Sequence, residues 1–333
     1  MKRFGNLMPL IYDLDNLFLA YYKARKGKSN NYSVKLFSKN LFDNILHLQE
    51  QIRTLNVNIG KYHYFKIYDP KERMISAASF EERIIHHAII NICKPVFERF
   101  SIYDSYATRE HKGVYSAIDR AKVGIKKYNY VAKLDVRKYF DSISHNVLKD
   151  KLLRLFKDKH LLILLFKIID SYSTSPLKGI PIGNLTSQYF ANYYLGFLDH
   201  YVKEKLLVPM YIRYMDDMLV FADNKDDLKK YVKEIDNYLK NELKLVLKTP
   251  QIIKTQTNVS FLGYNLSKNK ILLNRRSKIR FKTKFNKLSK LYSNGYLNEK
   301  LYLSHLLPLL AFVKYAYTKQ LRKSILQNIV GNR

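Results

Sequence analysis

Apolar residues recur at helical spacing over residues 7–26 and 34–56, and the polar stretch KGKSNNYS between them reads as an exposed loop. Alternation from Tyr62 to Tyr68 predicts a strand ended by an Asp69-Pro70 turn. The run ISAASFEERIIHHAIINICKPVFERF predicts a long amphipathic helix broken near Pro95, because proline lacks the amide hydrogen and crowds the preceding turn. YVAKLDV is β-rich and carries an aspartate at its end. Two strongly apolar helices follow, over about 146–170 and 186–207. YIRYMDDMLVFA sets two β-rich arms around Met215-Asp216-Asp217, and residues 226–244 form another amphipathic helix before a further strand. Strand, helix, helix, hairpin, helix, strand is an order that suits an antiparallel sheet backed by helices, an α+β fold. From Arg275 the chain turns helical and basic, in RRSKIRFKTKFNKLSKLY and then LPLLAFVKYAYTKQLRKSILQNIV. No internal repeat or low-complexity segment interrupts this order.

Charge narrows the class of partner. Across 333 residues, Lys and Arg total 59 against 28 Asp and Glu, a net charge of +31. That excess repels itself unless a polyanion is the usual partner, so nucleic acid is the first expectation, with a basic surface kept for solubility as the plain alternative. Hydrophobic residues make up 47%, enough for a sizeable core without staples. The single cysteine, Cys93, lies in an apolar stretch with no second thiol, which excludes a disulfide framework and a Cys-based zinc site. Acidic residues interrupt the N-terminal MKRFGNLMPLIYDLDNLF, and HLLILLFKIID is too short to span a bilayer, so the expectation is a soluble, cytoplasmic protein.

Asp135, Asp216 and Asp217 are the candidate chemistry. Phosphoryl transfer through two metal ions needs a few hard oxygen ligands on rigid backbone, holding the ions about 4 Å apart. An Asp-Asp pair in a hairpin is also ordinary turn chemistry. Here the pair is flanked on both sides by apolar β arms, where adjacent carboxylates repel each other unless a cation neutralises them.

Tyr214-Met215-Asp216-Asp217 resembles the YxDD box of reverse transcriptases, and LDVRKYFDSI resembles their preceding metal-binding segment. FLGY, Phe261 to Tyr264, falls where those enzymes carry the primer-grip hairpin (Phe261, Leu262, Gly263, Tyr264). The resemblance runs in order from about Tyr62 to Tyr264. It implies a right-hand polymerase with fingers, an antiparallel-sheet palm and a short helical thumb. The expected division is an N-terminal helical extension over 1–60, fingers over 61–130, palm over 131–265 and thumb over 266–333. It also implies two Mg²⁺ ions, replaceable by Mn²⁺, held by Asp135, the Val136 carbonyl, Asp216 and Asp217. Phe140, five residues after Asp135, takes the place of the aromatic that lies under the sugar and excludes a 2′-hydroxyl. On residue type alone, an aromatic beside a strand is more often core packing than a substrate gate.

Gly179 to Gln188, GIPIGNLTSQ, points to a subfamily. Most reverse transcriptases carry Gln before the glycine and Pro after the serine, whereas this chain has Ile182 before Gly183 and Gln188 after Ser187. That departure, with IYDPKERMI and SYATREHKGVYSA, resembles the reverse transcriptases of diversity-generating retroelements. Replacing an amide by Ile182 removes a hydrogen-bonding group beside the nucleotide and relaxes base selection, or else merely repacks the site. Selective error opposite template adenine is implied by the resemblance alone.

Arg73 and Arg109, with Lys71 and Lys112, resemble the finger cations that neutralise a triphosphate, against the plain reading of a basic loop. Lys248 is a candidate general acid toward pyrophosphate, with Lys244 and Lys254 competing. The expected activity is RNA-templated DNA synthesis that produces error-prone cDNA, the mutagenic retrohoming step of a diversity-generating retroelement in a bacterial, archaeal or phage setting. Partners implied are template RNA, nascent cDNA, dNTPs and a small, basic, oligomeric accessory protein. The alternatives are a retron, group II intron-like or phage-defence reverse transcriptase, and a catalytically idle RNA-binding protein on the same fold. With 69 residues after Tyr264, the expectation is a thumb without an added DNA-binding or endonuclease domain of ordinary size.

Overall fold

The computed structural model describes residues 3–68 and 71–330, with side chains as far as Ile325. The expected Asp69-Pro70 turn lies outside the described residues. Four helices open the chain: α1 (Met8–Ile11), α2 (Leu14–Arg25), α3 (Tyr32–Lys39) and α4 (Leu41–Arg53). A hairpin of β1 (His63–Tyr68) and β2 (Glu72–Ala77) leads into α5 (Phe80–Phe100), α6 (Val114–Lys127), β3 (Tyr130–Asp135) and α7 (Tyr139–Ser142). Then come α8 (His145–Leu155), α9 (Lys159–Asp170) and α10 (Leu185–His200), which runs into a π-helical turn at Tyr201–Lys205. β4 (Met210–Tyr214), β5 (Asp217–Ala222), α11 (Lys225–Glu242) and β6 (Gln251–Lys254) complete the central elements. The chain closes with β7 (Val259–Phe261), β8 (Tyr264–Leu266), β9 (Ile271–Leu273), α12 (Arg275–Ser293), α13 (Glu299–Lys314) and α14 (Lys319–Val330).

These elements gather into two compact units. The first holds residues 1–109, 135–207 and 233–249, and the second holds 110–134, 208–232 and 250–333.

In the first unit α5 supplies the spine. Its apolar residues Ile84, Ile85, Ala88, Ile89, Cys93 and Phe97 are buried. The helix does not break at Pro95 as expected. Val96 and Phe97 beyond the proline are buried like the apolar residues before it, so packing on both sides outweighs one lost backbone bond. It also starts later than expected, because the ISA residues pair with β1 instead (His63 with Ala77, Phe65 with Ile75), leaving Ser79 to cap at Phe80.

The expected single helix over 146–170 is two. Asp158 ends the connection by accepting from Leu161 N–H at 3.2 Å, and its other oxygen accepts from the Leu7 and Met8 amides at 2.9 and 3.0 Å. A cap that serves two helices at once favours the break. Gly196 of α10 lies against the Phe100 ring, where a Cβ would approach to 2.6 Å.

In the second unit a four-stranded sheet has the order β4-β5-β3-β6, with β4/β5 and β3/β6 antiparallel. Gly124 on α6 lets the Phe221 ring of β5 pack flush against the helix. A second antiparallel sheet, β7-β8-β9, precedes the three terminal helices. The expected helical run from Leu307 is divided between Lys314 and Lys319. α12 carries eight Lys or Arg and no acidic residue, and buries Ser277, Phe281 and Phe285. No helix among the described residues is long and apolar enough to cross a membrane.

Candidate active site

β4 and β5 pair from Met210↔Phe221 to Tyr214↔Asp217, which leaves Met215 and Asp216 as a two-residue turn. Met215 takes the left-handed φ of 55°, a conformation usually left to glycine in such hairpins and one that concentrates at functional sites. The turn is braced from beneath. Arg213 is 1% exposed, and its guanidinium donates to the Met215 carbonyl at 3.1 Å. Sequence reasoning missed Arg213, although a charged residue at an inward position of an apolar arm was the available signal. Asp216 and Asp217 are half-buried, and burial raises the pKa of the Tyr214 hydroxyl beside them in sequence.

Asp135 is the last residue of β3, the sheet neighbour of β5, which begins at Asp217. Its backbone carbonyl accepts from Lys248 N–H at 2.8 Å, and its Oδ2 meets Lys248 Nζ at 2.6 Å. Oδ1 is buried without a hydrogen-bond partner. A buried carboxylate oxygen with no partner is a place that a cation fits. Among the described residues, no group of three or more acidic, histidine or cysteine side chains is gathered so as to hold a metal ion. The bonds Lys248 N–H to Asp135 O and Arg137 N–H to Val246 O bracket Val136, which pairs with Leu247.

The three candidate lysines separate cleanly. Lys248 sits on Asp135, Lys244 bonds the Asn241 carbonyl at 2.8 Å, and Lys254 pairs with Tyr130 at the opposite end of β3.

Phe140 is half-buried in α7, so it is not a core residue of the ordinary kind. Its carbonyl accepts from Ile180 N–H at 2.9 Å, which ties it to the GIPIGNLTSQ segment. In that segment Ile182 is half-exposed and Gly183 and Gln188 are exposed. The Ile182 carbonyl accepts from Ser76 N–H of β2 at 2.9 Å. Gly183 has φ 128°, and a Cβ there would come within 3.0 Å of Ile75 and 3.3 Å of the Ser76 carbonyl. Only glycine takes that backbone without strain. The hairpin of β1 and β2, with exposed Lys71 just before β2 and exposed Arg73 on it, is thus docked against this segment.

Other predicted residues are occupied by the protein itself. The Arg109 guanidinium donates to Glu98 at 2.8 Å and to the carbonyls of Ile102 and Ser105 at 2.6 and 2.9 Å. These bonds make it a brace of the α5 C-terminus. Lys112 is half-buried with partners of its own. In the 261–264 hairpin, Phe261 and Tyr264 point inward, fully buried, and the Tyr264 hydroxyl donates to the Phe312 carbonyl at 2.7 Å. Only Leu262 and Gly263, with φ 47° and 90°, form the accessible tip.

A family model described as reverse transcriptase (RNA-dependent DNA polymerase) matches residues 66–266, more than half of the chain. The COX1/OXI3 intron 2 protein of Saccharomyces cerevisiae is 24% identical over 332 residues, covering 78% of this chain and 38% of the relative. Protein YkfC of Escherichia coli is 26% identical over 157 residues, covering 43% of this chain and 41% of its own length. The chain therefore spans about two fifths of the length of the curated relatives it matches. Among solved structures, telomerase from Candida albicans in complex with a fragment of telomeric RNA aligns over 82% of this chain and 55% of that one, at 14% identity and a TM-score of 0.46. Telomerase from Candida tropicalis without RNA aligns over 82% of this chain and 62% of that one, also at 14% identity and a TM-score of 0.46. With its antiparallel sheet, its Asp216-Asp217 hairpin and a family match that runs from β1 to β8, this chain belongs to the reverse transcriptase family.

Proposed function

We propose that the protein is an RNA-templated DNA polymerase of the diversity-generating type, in which a primer 3′-hydroxyl attacks the α-phosphate of a dNTP and the α–β phosphoanhydride bond breaks to release pyrophosphate. The observation that carries the polymerase reading is the order of the sheet, in which β3, ending at Asp135, neighbours β5, starting at Asp217. Asp135, the Val136 carbonyl, Asp216 and Asp217 would hold Mg²⁺, which supplies charge neutralisation and activates the attacking oxygen. Lys248, already at Asp135, is the general-acid candidate. Arg73 and Lys71 are the exposed finger cations for a triphosphate. α12, with eight Lys or Arg and no acidic residue, offers positive charge to a nucleic-acid backbone.

Phe140 serves as the sugar gate in this reading. Phe140→Ala should let ribonucleotides into the product, raising rNTP use relative to dNTP by roughly tenfold or more, since a single apolar wall contributes about 1–3 kcal/mol of discrimination. Unchanged discrimination in competitive extension would return Phe140 to packing alone.

The diversity-generating assignment rests on Ile182 and Gln188 in the GIPIGNLTSQ segment. The intron proteins among the relatives favour a second reading, an intron-type reverse transcriptase. Sequencing cDNA copied from one RNA in Mg²⁺ separates the two, since the first requires errors concentrated opposite adenine. Ile182→Gln should lower those errors by roughly ten- to thirtyfold, the equivalent of one regained contact. Low and even errors in the wild type would favour the intron reading. With a charge of +31, assembly with a basic accessory protein would run largely through shared RNA, so nuclease treatment or high salt should dissociate it.

A further inference from the structure

We propose that Glu82, His86 and Thr186 form a buried relay that positions the Ile182–Ser187 turn and so sets the affinity for the incoming nucleotide; the inference rests on the polymerase reading above. Ser79-x-x-Glu82 is a capping-box pattern, and Ser79 Oγ does accept from the Glu82 amide at 3.2 Å. The Glu82 carboxylate, however, does not return to the cap. One of its oxygens accepts from Gly60 N–H at 3.0 Å, and the other faces His86 Nε2 at 3.3 Å. A carboxylate only accepts, so Nε2 carries the proton. His86 Nδ1 then lies 2.8 Å from the Thr186 hydroxyl. Glu82 and Thr186 are 0% exposed and His86 1%. Burial of a charged side chain at that depth persists only where its partners are well made, and the relay supplies them.

The line of bonds runs from Gly60, just before β1, through α5 to the first turn of α10. That turn has little else among the described residues to fix it. Asn184 holds the N-cap position of α10 but makes no capping bond. It is 2% exposed, and its side chain reaches only toward the Tyr62 hydroxyl, without a hydrogen bond of ordinary geometry. Ser76 Oγ, next to Gly183, is also buried without a partner. The remaining ties are the Ser76 N–H bond to the Ile182 carbonyl and the Thr186–His86 contact. Ile182 and Gly183 are continuous with this turn, so a shift at Thr186 moves the backbone beside the nucleotide. Displacing a positioning element by about 1 Å can change rate or affinity by about a hundredfold.

The test compares the full chain with Thr186→Val, which removes the hydroxyl and keeps the shape, and with Thr186→Ser, which restores it. Amide hydrogen exchange over residues 183–188 should be roughly tenfold faster in the valine variant and normal in the serine variant. In primer extension the KM for dNTP should rise roughly tenfold or more in Thr186→Val with kcat nearly unchanged, the pattern of lost binding rather than lost chemistry. Glu82→Gln, on a different element, should reproduce both effects, and it carries the test if Thr186→Val does not fold. Unchanged exchange would overturn the relay whether or not the chain makes cDNA. A loss of kcat alone, or a serine variant that stays impaired, would do the same. Failure of the wild type to extend a primer counts instead against the polymerase reading, and leaves the exchange result to judge the relay.

Discussion

Asp216→Asn is expected to reduce primer extension by at least about a thousandfold while leaving RNA affinity within about twofold. The substitution keeps the size of the side chain and the two-residue turn between Tyr214 and Asp217, but removes the charge that would hold a metal ion in the proposed reading. RNA affinity comes from neutralising phosphates with Lys and Arg, and the 59 such residues are untouched. Chelation of the wild-type enzyme with EDTA should give the same loss without any mutation. Turnover that survives EDTA would end the metal-dependent reading, and a parallel fall in RNA binding would mean that the hairpin had unfolded rather than lost its ligand.

Gly124→Val is expected to lower stability by about 1–3 kcal/mol and to inactivate the enzyme at temperatures where the wild type is folded. A Cβ at position 124 would stand 2.7 Å from Phe221 Cζ and 2.9 Å from both Cε atoms, too close for any contact between carbons. Phe221 is fully buried in β5, so its ring has no free space to enter. The strain must then move α6 or β5, and β5 begins with Asp217. A compensating Phe221→Leu change, which shortens the side chain facing position 124, should recover part of the lost melting temperature. Equal melting temperatures for wild type and Gly124→Val would show that the helix and strand separate freely.

The parts legible in the sequence are those governed by short-range chemistry. The hairpin over 210–222 was readable because two short β-rich apolar arms enclose a polar turn. Asp135 at a strand end, the 261–264 hairpin and the helix over 225–242 were readable for the same reason. The net charge of +31 points to a polyanionic partner without any knowledge of the fold, because long-range repulsion depends on composition rather than on arrangement.

Tertiary packing decided the rest. Pro95 did not end its helix, because Val96 and Phe97 find burial on the far side of it, and burial of large side chains exceeds the loss of one hydrogen bond. Asp158 split a continuous apolar run because amides from residues 7 and 8, some 150 positions away, supplied it with extra donors. Arg109 has the residue type of a phosphate ligand, yet the fold surrounds it with Glu98 and two carbonyls, so its role follows from its neighbours. Arg213, Glu82 and His86 lay unnoticed in apolar or amphipathic runs for the converse reason. A charged side chain inside a protein takes its meaning from the partners that satisfy it, and those partners are brought to it from distant parts of the chain only when the chain folds.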